Sequence, residues 1–234
     1  MRGTRAMAAA LLLALTACTP PPPSHADRYA AWLSSGVRGN VDAYARFLRE
    51  RGVGDVVTMP QLLTTARRWR TCGAPEFAVP PRGQWQAMAD TLELVRDLRR
   101  AGLLSDARVA SAWRGDALNR CEGGAPRSRH VANNALDFDL GPHSGDHARW
   151  CAYWRQAGPA RRFGLGYYDA HRIHVDTSGF RTWGSDHRRR TSPCAAPARR
   201  RSQMQARPHA EVIRGPGAVG GRAIEDATRL WTLE

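Results

Sequence analysis

Two short segments alternate apolar and polar residues with a period of two, and this pattern restricts how the chain can fold around them. In ALDFDL, residues 135–140, apolar side chains alternate with Asp137 and a second aspartate; in RIHVD, residues 172–176, they alternate with His174. Such alternation is typical of half-buried β-strands, in which successive side chains point to opposite faces. We therefore expect Asp137 and His174 on an open face, opposite the core.

The rest of the chain adds helices, mostly ahead of these strands. Apolar residues at helical intervals predict helices over 27–50, 60–69, 84–100 and 146–157. Further strands are expected at 107–114 and on both sides of a turn within 162–184. This order, helices first and antiparallel-looking strands later, predicts an α+β fold with a small antiparallel sheet and flanking helices.

The first residues predict export. Arg2 and Arg5 precede an apolar run that is too short to span a bilayer, as in a secretory signal peptide. LTAC, residues 15–18, resembles the bacterial lipobox, which implies cleavage before Cys18 and its lipidation; a plain secretory signal with an incidental cysteine is the alternative. Prolines after Cys18 form an extended tether. We therefore expect an extracytoplasmic protein, anchored by a lipid on Cys18 to the periplasmic side of the outer membrane.

The positive charge is concentrated near the carboxyl end. The basic residues are all arginine, and the formal net charge is +14. Residues 188–207 hold seven arginines and no acidic residue. Such a segment can contact anionic envelope surfaces, but a solvated, disordered extension is the simpler interpretation. No sequence motif indicates nucleic-acid binding, so we expect no nucleic-acid partner; the sequence leaves the oligomeric state open.

Four cysteines follow Cys18, namely Cys72, Cys121, Cys151 and Cys194. They lack the paired C-x-x-C spacing of a thiolate zinc site, and an exported chain meets an oxidising environment. We therefore expect two disulfides. Four cysteines allow three pairings, which the sequence does not separate.

A histidine and an aspartate lie seven positions apart in SRHVANNALDFD, residues 128–139. His130 from a loop and Asp137 from the following strand are ligand types that zinc accepts, and His174 is the best candidate for a third ligand. Asp176 shares a strand face with His174 and is expected to orient a side chain near the metal. A single His–Asp spacing is weak evidence, because the chain has eight histidines.

Several motifs in the same order strengthen this interpretation. SAWR, LNRCEGGAPRSRH, HVANNALDFD, GLGYY and IHVDTSGFRTW follow one another within residues 107–184. Together they resemble the zinc D-alanyl-D-alanine carboxypeptidases and endopeptidases of the peptidase M15 family. That family shares its fold with the amino-terminal signalling domain of hedgehog proteins, so the resemblance implies a hedgehog/DD-peptidase-like zinc domain.

The resemblance assigns roles residue by residue. It implies that His130, Asp137 and His174 bind Zn²⁺, and that Arg114 holds the carboxylate of a terminal D-alanine through a bidentate pair of hydrogen bonds. Ser128, two residues before the first ligand, is expected to hydrogen-bond near the scissile carbonyl or to orient the loop. Outside this resemblance, Arg114 would be a surface ion-pair residue and Ser128 a turn hydroxyl.

The chain departs from the family pattern at two places. Asn133 occupies a position where glycine is common, three residues after the first ligand; asparagine also tolerates left-handed backbone angles. Related enzymes place a glutamate three residues before the last ligand or a histidine two before it, where this chain has His171 and Arg172. We expect His171 to be the general base, with Asp169 as the alternative.

These observations predict a zinc peptidase that hydrolyses peptidoglycan stem peptides, as a D,D-carboxypeptidase or D,D-endopeptidase. A non-catalytic, zinc-stabilised module that binds peptidoglycan or another envelope component is one alternative, and an envelope protein that docks through its arginine-rich tail is another. The expected segments are a signal peptide at 1–17, a proline-rich tether at 18–26, a helical region at 27–70, the zinc domain at 71–194 and a tail at 195–234.

Overall fold

The structure is a computed structural model that describes residues 21–144 and 146–195. The predicted signal peptide, Cys18, the first residues of the tether and nearly all of the tail lie outside these residues. The statements about export, lipidation and the tail therefore stay predictions. No helix within the described part of the chain is long and apolar enough to cross a membrane.

Two helices form the amino-terminal part of the described chain. α1 spans His25–Trp32 and α2 spans Arg38–Glu50, so the helix predicted over 27–50 is interrupted. The interruption lies in 33–37, where Gly36 adopts a φ of +91° that most side chains avoid. The kink lets α1 and α2 follow different directions over the same core.

The helix predicted over 60–69 is shorter than expected. α3 covers only Met59–Leu62. Immediately afterwards Thr64 forms an antiparallel bridge with Phe77, and the Thr65 amide donates a 2.9 Å hydrogen bond to the Glu76 carbonyl. Threonine is a β-branched residue that favours such extended pairing, so long-range pairing ends the helix here.

The strongest helical prediction is confirmed. α4 spans Trp85–Arg100, and its apolar stripe is buried. Gly102 follows with a φ of +68°, as expected for a residue that ends a helix. Tyr44 of α2 packs against Trp85, with ring centroids 5.1 Å apart. The amino-terminal helices therefore share one hydrophobic core with the sheet.

A five-stranded sheet lies against α4. Its strands are β1 (Arg108–Ser111), β2 (Ala135–Asp139), β3 (Gly164–Tyr167), β4 (Arg172–Asp176) and β5 (Arg181–Trp183). Their spatial order is β1-β2-β4-β3-β5. Three neighbouring pairs are antiparallel, but β3 and β5 are parallel. The sheet is mixed and not purely antiparallel. β4 already has two neighbours, so β5 joins the sheet beside β3, and because the chain reverses between β4 and β5, β5 runs in the same direction as β3.

Two further helices pack near the sheet. α5 spans Asp116–Cys121, and α6 spans His147–Arg161, four residues beyond the predicted end. The Asp146 carboxylate caps α6 by accepting a 2.8 Å hydrogen bond from the Ala148 amide. Single 3₁₀ turns lie at Arg82–Gln84 and Arg189–Thr191. The α+β class is therefore confirmed.

The four described cysteines form two disulfides, as predicted. The structure selects one of the three possible pairings, Cys72–Cys121 and Cys151–Cys194. The first bridge connects the loop after α3 to α5, and the second ties α6 to the last described residues. Each closes a loop of more than forty residues, with sequence separations of 49 and 43. Loops of this length restrict the unfolded chain considerably.

Candidate metal centre

The sheet brings two of the predicted ligands face to face. Asp137 in β2 and His174 in β4 are direct cross-strand partners. Their neighbours Leu136 and Val175 are fully buried on the core face. Strand alternation therefore directs Asp137 and His174 to the opposite face, as predicted. His130 joins them from the turn that precedes β2.

The turn between His130 and β2 depends on a left-handed residue. Asn133 has a φ of +53°, and its amide donates a 3.2 Å hydrogen bond to the His130 carbonyl. Its buried side chain also donates a 3.1 Å hydrogen bond to the Gln84 carbonyl. The expectation that asparagine could replace glycine in this turn is confirmed, and the side chain ties the turn to the start of α4.

Three ligand atoms converge in the buried site. The His130 Nε2 and Asp137 Oδ1 atoms are 3.1 Å apart, His174 Nδ1 and Asp137 Oδ1 are 2.9 Å apart, and the two nitrogens are 3.2 Å apart. Zinc–ligand bonds of about 2.0–2.1 Å in tetrahedral geometry need ligand atoms about 3.3 Å apart. The donor types and spacings therefore fit a zinc ion, with a fourth position left for water or substrate.

Hydrogen bonds orient both imidazoles for this purpose. His130 Nδ1 lies 2.7 Å from the Ala112 carbonyl, so it carries the proton and leaves Nε2 for a metal. His174 Nε2 lies 3.1 Å from Asp176 Oδ2, so its Nδ1 atom is the one that faces a metal. Asp176 is fully buried and accepts two hydrogen bonds from the Arg181 guanidinium, at 2.9 and 2.7 Å. The predicted orienting role of Asp176 thus has a structural basis.

The ionisation of the three groups follows from burial and from their mutual contacts. Burial lowers the pKa of His130, which favours the neutral form that binds metals. Burial raises the pKa of Asp137, but electrostatic interactions and hydrogen bonds with His130 and His174 outweigh it and hold the pKa well below its usual range. Burial lowers the pKa of His174, yet hydrogen bonds with Asp137 and Asp176 raise it to about 9. Metal binding at Nδ1 therefore displaces a proton.

Arg114 lies beside the three candidate ligands, His130, Asp137 and His174, which we call the triad. Not all guanidinium donors of Arg114 have a partner in the described part of the chain. Its side chain is 8% exposed, and its Nη2 atom lies 4.0 Å from Asp137 Oδ2. Within the described residues, its buried Nε has no hydrogen-bond partner. Buried donors are normally satisfied, but Arg96 and Arg99 of α4 also have a buried Nε without a partner among the described residues, so it is the position of Arg114 beside Asp137 that makes it a candidate for binding a ligand. A carboxylate fits the planar, forked donors of arginine.

Ser128 lies where the turn toward His130 begins. It is half-buried, its amide donates to the Ala125 carbonyl at 2.9 Å, and its carbonyl accepts from the Val131 amide at 3.2 Å. The backbone of Ser128 therefore shapes the loop that carries the first ligand. Its predicted contact with the scissile carbonyl stays a prediction.

No described contact joins the predicted general bases to the triad, so their roles stay predictions. Asp169 and His171 lie in the connection between β3 and β4, where the His171 amide donates to Asp169 Oδ1 at 2.9 Å. His171 is exposed and its carbonyl accepts a hydrogen bond from the Leu140 amide. His171 precedes His174 by three positions, which corresponds to about 10 Å between their Cα atoms along an extended chain. Asp169 instead pairs with Arg172.

Tyr168 is a site residue to which the sequence interpretation gave no role. Its hydroxyl donates a 3.1 Å hydrogen bond to Asp137 Oδ1, and its ring packs edge-on against Trp183 at 5.2 Å. Burial raises the pKa of the phenol, which therefore remains a donor. Tyr167 belongs to the core face. Strand alternation in GLGYY could therefore have placed Tyr168 on the opposite face, which carries Asp137 and His174 and which we call the metal face. Gly166 makes room for Trp183, whose ring would lie 2.0 Å from an added Cβ.

The comparisons with known proteins agree with this geometry. The model of a family described as Peptidase M15 matches residues 60–176, which is half of the chain. The matched segment contains Arg114 and all three residues of the triad. Neither the curated proteins nor the solved structures include a match to this chain.

Proposed function

The chain belongs to the peptidase M15 family of metallopeptidases, and on this premise we propose that it hydrolyses peptidoglycan stem peptides as a zinc-dependent D,D-carboxypeptidase or D,D-endopeptidase. His130, Asp137 and His174 would hold the ion, since their donor types and spacing fit zinc. When bound, zinc supplies a Lewis acid for the scissile carbonyl and lowers the pKa of water to about 7.

The observation that carries the proposal is the buried guanidinium beside the triad. Arg114 lies within 4.0 Å of Asp137 and keeps its Nε without a partner among the described residues. A substrate that ends in a free carboxylate would complete its hydrogen bonds. Binding at Arg114 would then place the last peptide bond of the substrate next to the triad, which is the bond that a carboxypeptidase cleaves.

Other residues of the site would hold the catalytic geometry. Asp176 fixes the tautomer and ring orientation of His174, and Arg181 holds Asp176 in place. Tyr168 donates to Asp137 and covers one side of the triad together with Trp183. These contacts restrict the ligands to one arrangement and limit the access of bulk water.

The proposed activity can be tested with a matched pair of peptides. We expect the zinc-loaded full chain to release D-alanine from a peptide that ends in D-Ala-D-Ala with a free carboxylate. The same peptide with a carboxyl-terminal amide should react far more slowly, because Arg114 loses its anionic partner. Release of D-alanine is measured by mass spectrometry. Equal rates on both peptides would contradict carboxylate recognition, and cleavage of neither would contradict the carboxypeptidase proposal.

The role of His171 is tested by replacement with alanine. Because His171 makes no described contact with the triad and lies about 10 Å along the strand, we expect kcat to change by less than about threefold. Loss of a general base typically costs 10²–10⁴-fold in rate. A decrease of that size, measured with unchanged zinc content, would instead support the assignment made from the sequence.

The cellular setting is proposed from the leader and from the substrate together. A signal peptide and lipidation of Cys18 would place the enzyme outside the cytoplasm, on the periplasmic face of the outer membrane, where peptidoglycan is accessible. Labelling of the expressed protein with a radioactive or clickable fatty acid, compared with a Cys18→Ser variant, tests the anchor directly.

A non-catalytic, zinc-stabilised binding module is the second candidate. One observation favours it: the described hydrogen bonds that the side chains of the triad make with residues outside it go to Ala112, Tyr168 and Asp176, and none goes to His171 or Asp169. Such a module would bind the free-carboxylate peptide through Arg114 without releasing D-alanine. The peptide assay therefore separates the two candidates when binding is measured on the same sample.

A further inference from the structure

A cleft with both polar and apolar lining residues opens beside the edge strand β1. Its volume is about 320 Å³, within the range of ligand-binding clefts. Its lining includes Arg28, Gln61, Arg67, Trp69, Arg108 and Asp139. We refer to it as the β1 cleft.

The β1 cleft lies next to the metal ligands. Asp139, in its wall, follows Asp137 by two residues in β2, so both carboxylates point to the same face about 7 Å apart. On β1, Arg108 pairs with Asp139 while Ser111 pairs with Asp137. A chain that leaves the triad along β1 toward Arg108 therefore enters the cleft directly.

One wall of the cleft comes from α1, outside the segment that the family model matches. His25 Nε2 lies 3.0 Å from the Thr64 hydroxyl, and Arg28 binds both oxygens of Glu76 at 2.6 and 2.8 Å. Tyr29 packs edge-on against Phe77 at 5.3 Å. These contacts hold α1 against the segment that follows α3, which also lines the cleft.

The cleft has an excess of positive charge. Arg28 is matched by Glu76, whereas Arg67 and Arg108 share the single carboxylate of Asp139. Arg67 contacts both oxygens of that carboxylate, through an Nη1–Oδ2 hydrogen bond of 2.8 Å and a close Nη2–Oδ1 contact. Arg108 Nη2 is 3.8 Å from Asp139, and its side chain is 71% exposed. Arg108 is therefore the cation most available to an incoming anion.

The two sides of the triad differ in a way that orients a peptide. Arg108 begins β1, Ser111 at its end pairs with Asp137, and Arg114 follows three residues later. Along the chain, the two arginines therefore lie on opposite sides of the position that faces Asp137. A peptide whose terminal carboxylate binds Arg114 extends its preceding residues past the triad toward Arg108. The cleft therefore meets the part of the substrate on the amino side of the scissile bond.

We propose that the β1 cleft is a subsite for an acidic peptide segment, in which Arg108 and Arg67 bind a carboxylate carried by a residue upstream of the scissile bond. This inference rests on the proposed function and extends it to the substrate's sequence. It also gives α1 a role in specificity, because the helix forms the wall that faces Arg108.

The test compares two uncleavable peptides on the zinc-loaded full chain. Both end in D-Ala-D-Ala with the last peptide bond reduced to a methyleneamine; one has glutamate and the other glutamine three residues before the end. We expect calorimetry to show the glutamate peptide binding about three- to fivefold more tightly at low salt, as for partly exposed ion pairs. Arg108→Gln should remove most of this preference and leave the affinity for the glutamine peptide unchanged.

Arg100→Gln provides the matched control. Arg100 is 73% exposed and lies 4.0 Å from Asp97, much like Arg108 beside Asp139, but it belongs to α4 and does not line the cleft. It should keep the glutamate preference. An equal loss in both variants would show a general charge effect and overturn the subsite, as would equal binding of the two peptides or binding of neither.

The test also separates this inference from the proposed activity. A glutamate preference that depends on Arg108, found in a protein that releases no D-alanine from the unmodified peptides, would support the cleft and contradict the peptidase. Release of D-alanine at equal efficiency from the glutamate and glutamine peptides would support the peptidase and contradict the cleft.

Discussion

Replacing His174 with alanine is expected to remove bound zinc and to reduce peptide hydrolysis by at least about a thousandfold. The triad offers three ligand atoms that lie 2.9–3.2 Å from one another, and loss of one nitrogen leaves two protein ligands. A Lewis acid contributes several kcal/mol to catalysis, and about 4 kcal/mol corresponds to a thousandfold in rate. Elemental analysis should fall from about one zinc per chain to nearly none.

Two further variants make this result specific. His143→Ala removes an exposed histidine outside the triad and should leave zinc content and activity unchanged. Asp176→Asn keeps all three ligands but weakens the orientation of His174, so zinc affinity should decrease about 10- to 100-fold. Folded His174→Ala protein that retains one zinc per chain would show that the metal lies elsewhere and would overturn the assignment of the triad.

The metal face was predictable because strand alternation is a local property. Asp137 and His174 occur within runs of alternating apolar residues, and the core residues beside them dictate which way they point. The direct pairing of Asp137 with His174 was not predictable in this way. Register depends on how β2 and β4 meet, and a shift by one residue would turn one ligand into the core.

The least predictable parts of the fold depend on distant contacts. The run after Leu62 has helical spacing, yet pairing of Thr64 with Phe77 ends the helix. The strand Arg181–Trp183 has no local signal that shows which neighbour it joins, and it pairs in parallel with β3 because β4 is already enclosed. The disulfide pairing likewise follows from the packed fold and not from the spacing of the cysteines.

The general base predicted from the motif has no described contact with the triad, so it stays a prediction. His171 occupies the position at which related enzymes have a glutamate, but here the residue precedes a regular strand and lies in an exposed connection. Tyr168, which the motif did not assign, contacts the candidate ligand Asp137. Spacing along the sequence therefore does not by itself assign the base.

Arg114→Gln is expected to lower kcat/KM for a peptide with a free terminal carboxylate by roughly thirtyfold to several thousandfold. Truncating one member of a buried, hydrogen-bonded charge pair costs about 2–5 kcal/mol, and each 1.4 kcal/mol corresponds to a tenfold change. Arg114 is buried with Nε unpartnered among the described residues, and in the proposed function the substrate carboxylate would supply a partner. Zinc content should remain at about one per chain.

The amidated peptide distinguishes substrate recognition from damage to the site. Arg114 also lies 4.0 Å from Asp137, so its loss could disturb the triad itself, in which case activity on both peptides would fall together. If the role is recognition, Arg114→Gln should affect the free-acid peptide strongly and the amidated peptide hardly at all. Arg114→Lys should recover only part of the difference, because an ammonium keeps the charge but cannot form the forked pair of hydrogen bonds. Equal losses on the two peptides would assign Arg114 to the structure of the triad and remove the main support for a carboxypeptidase.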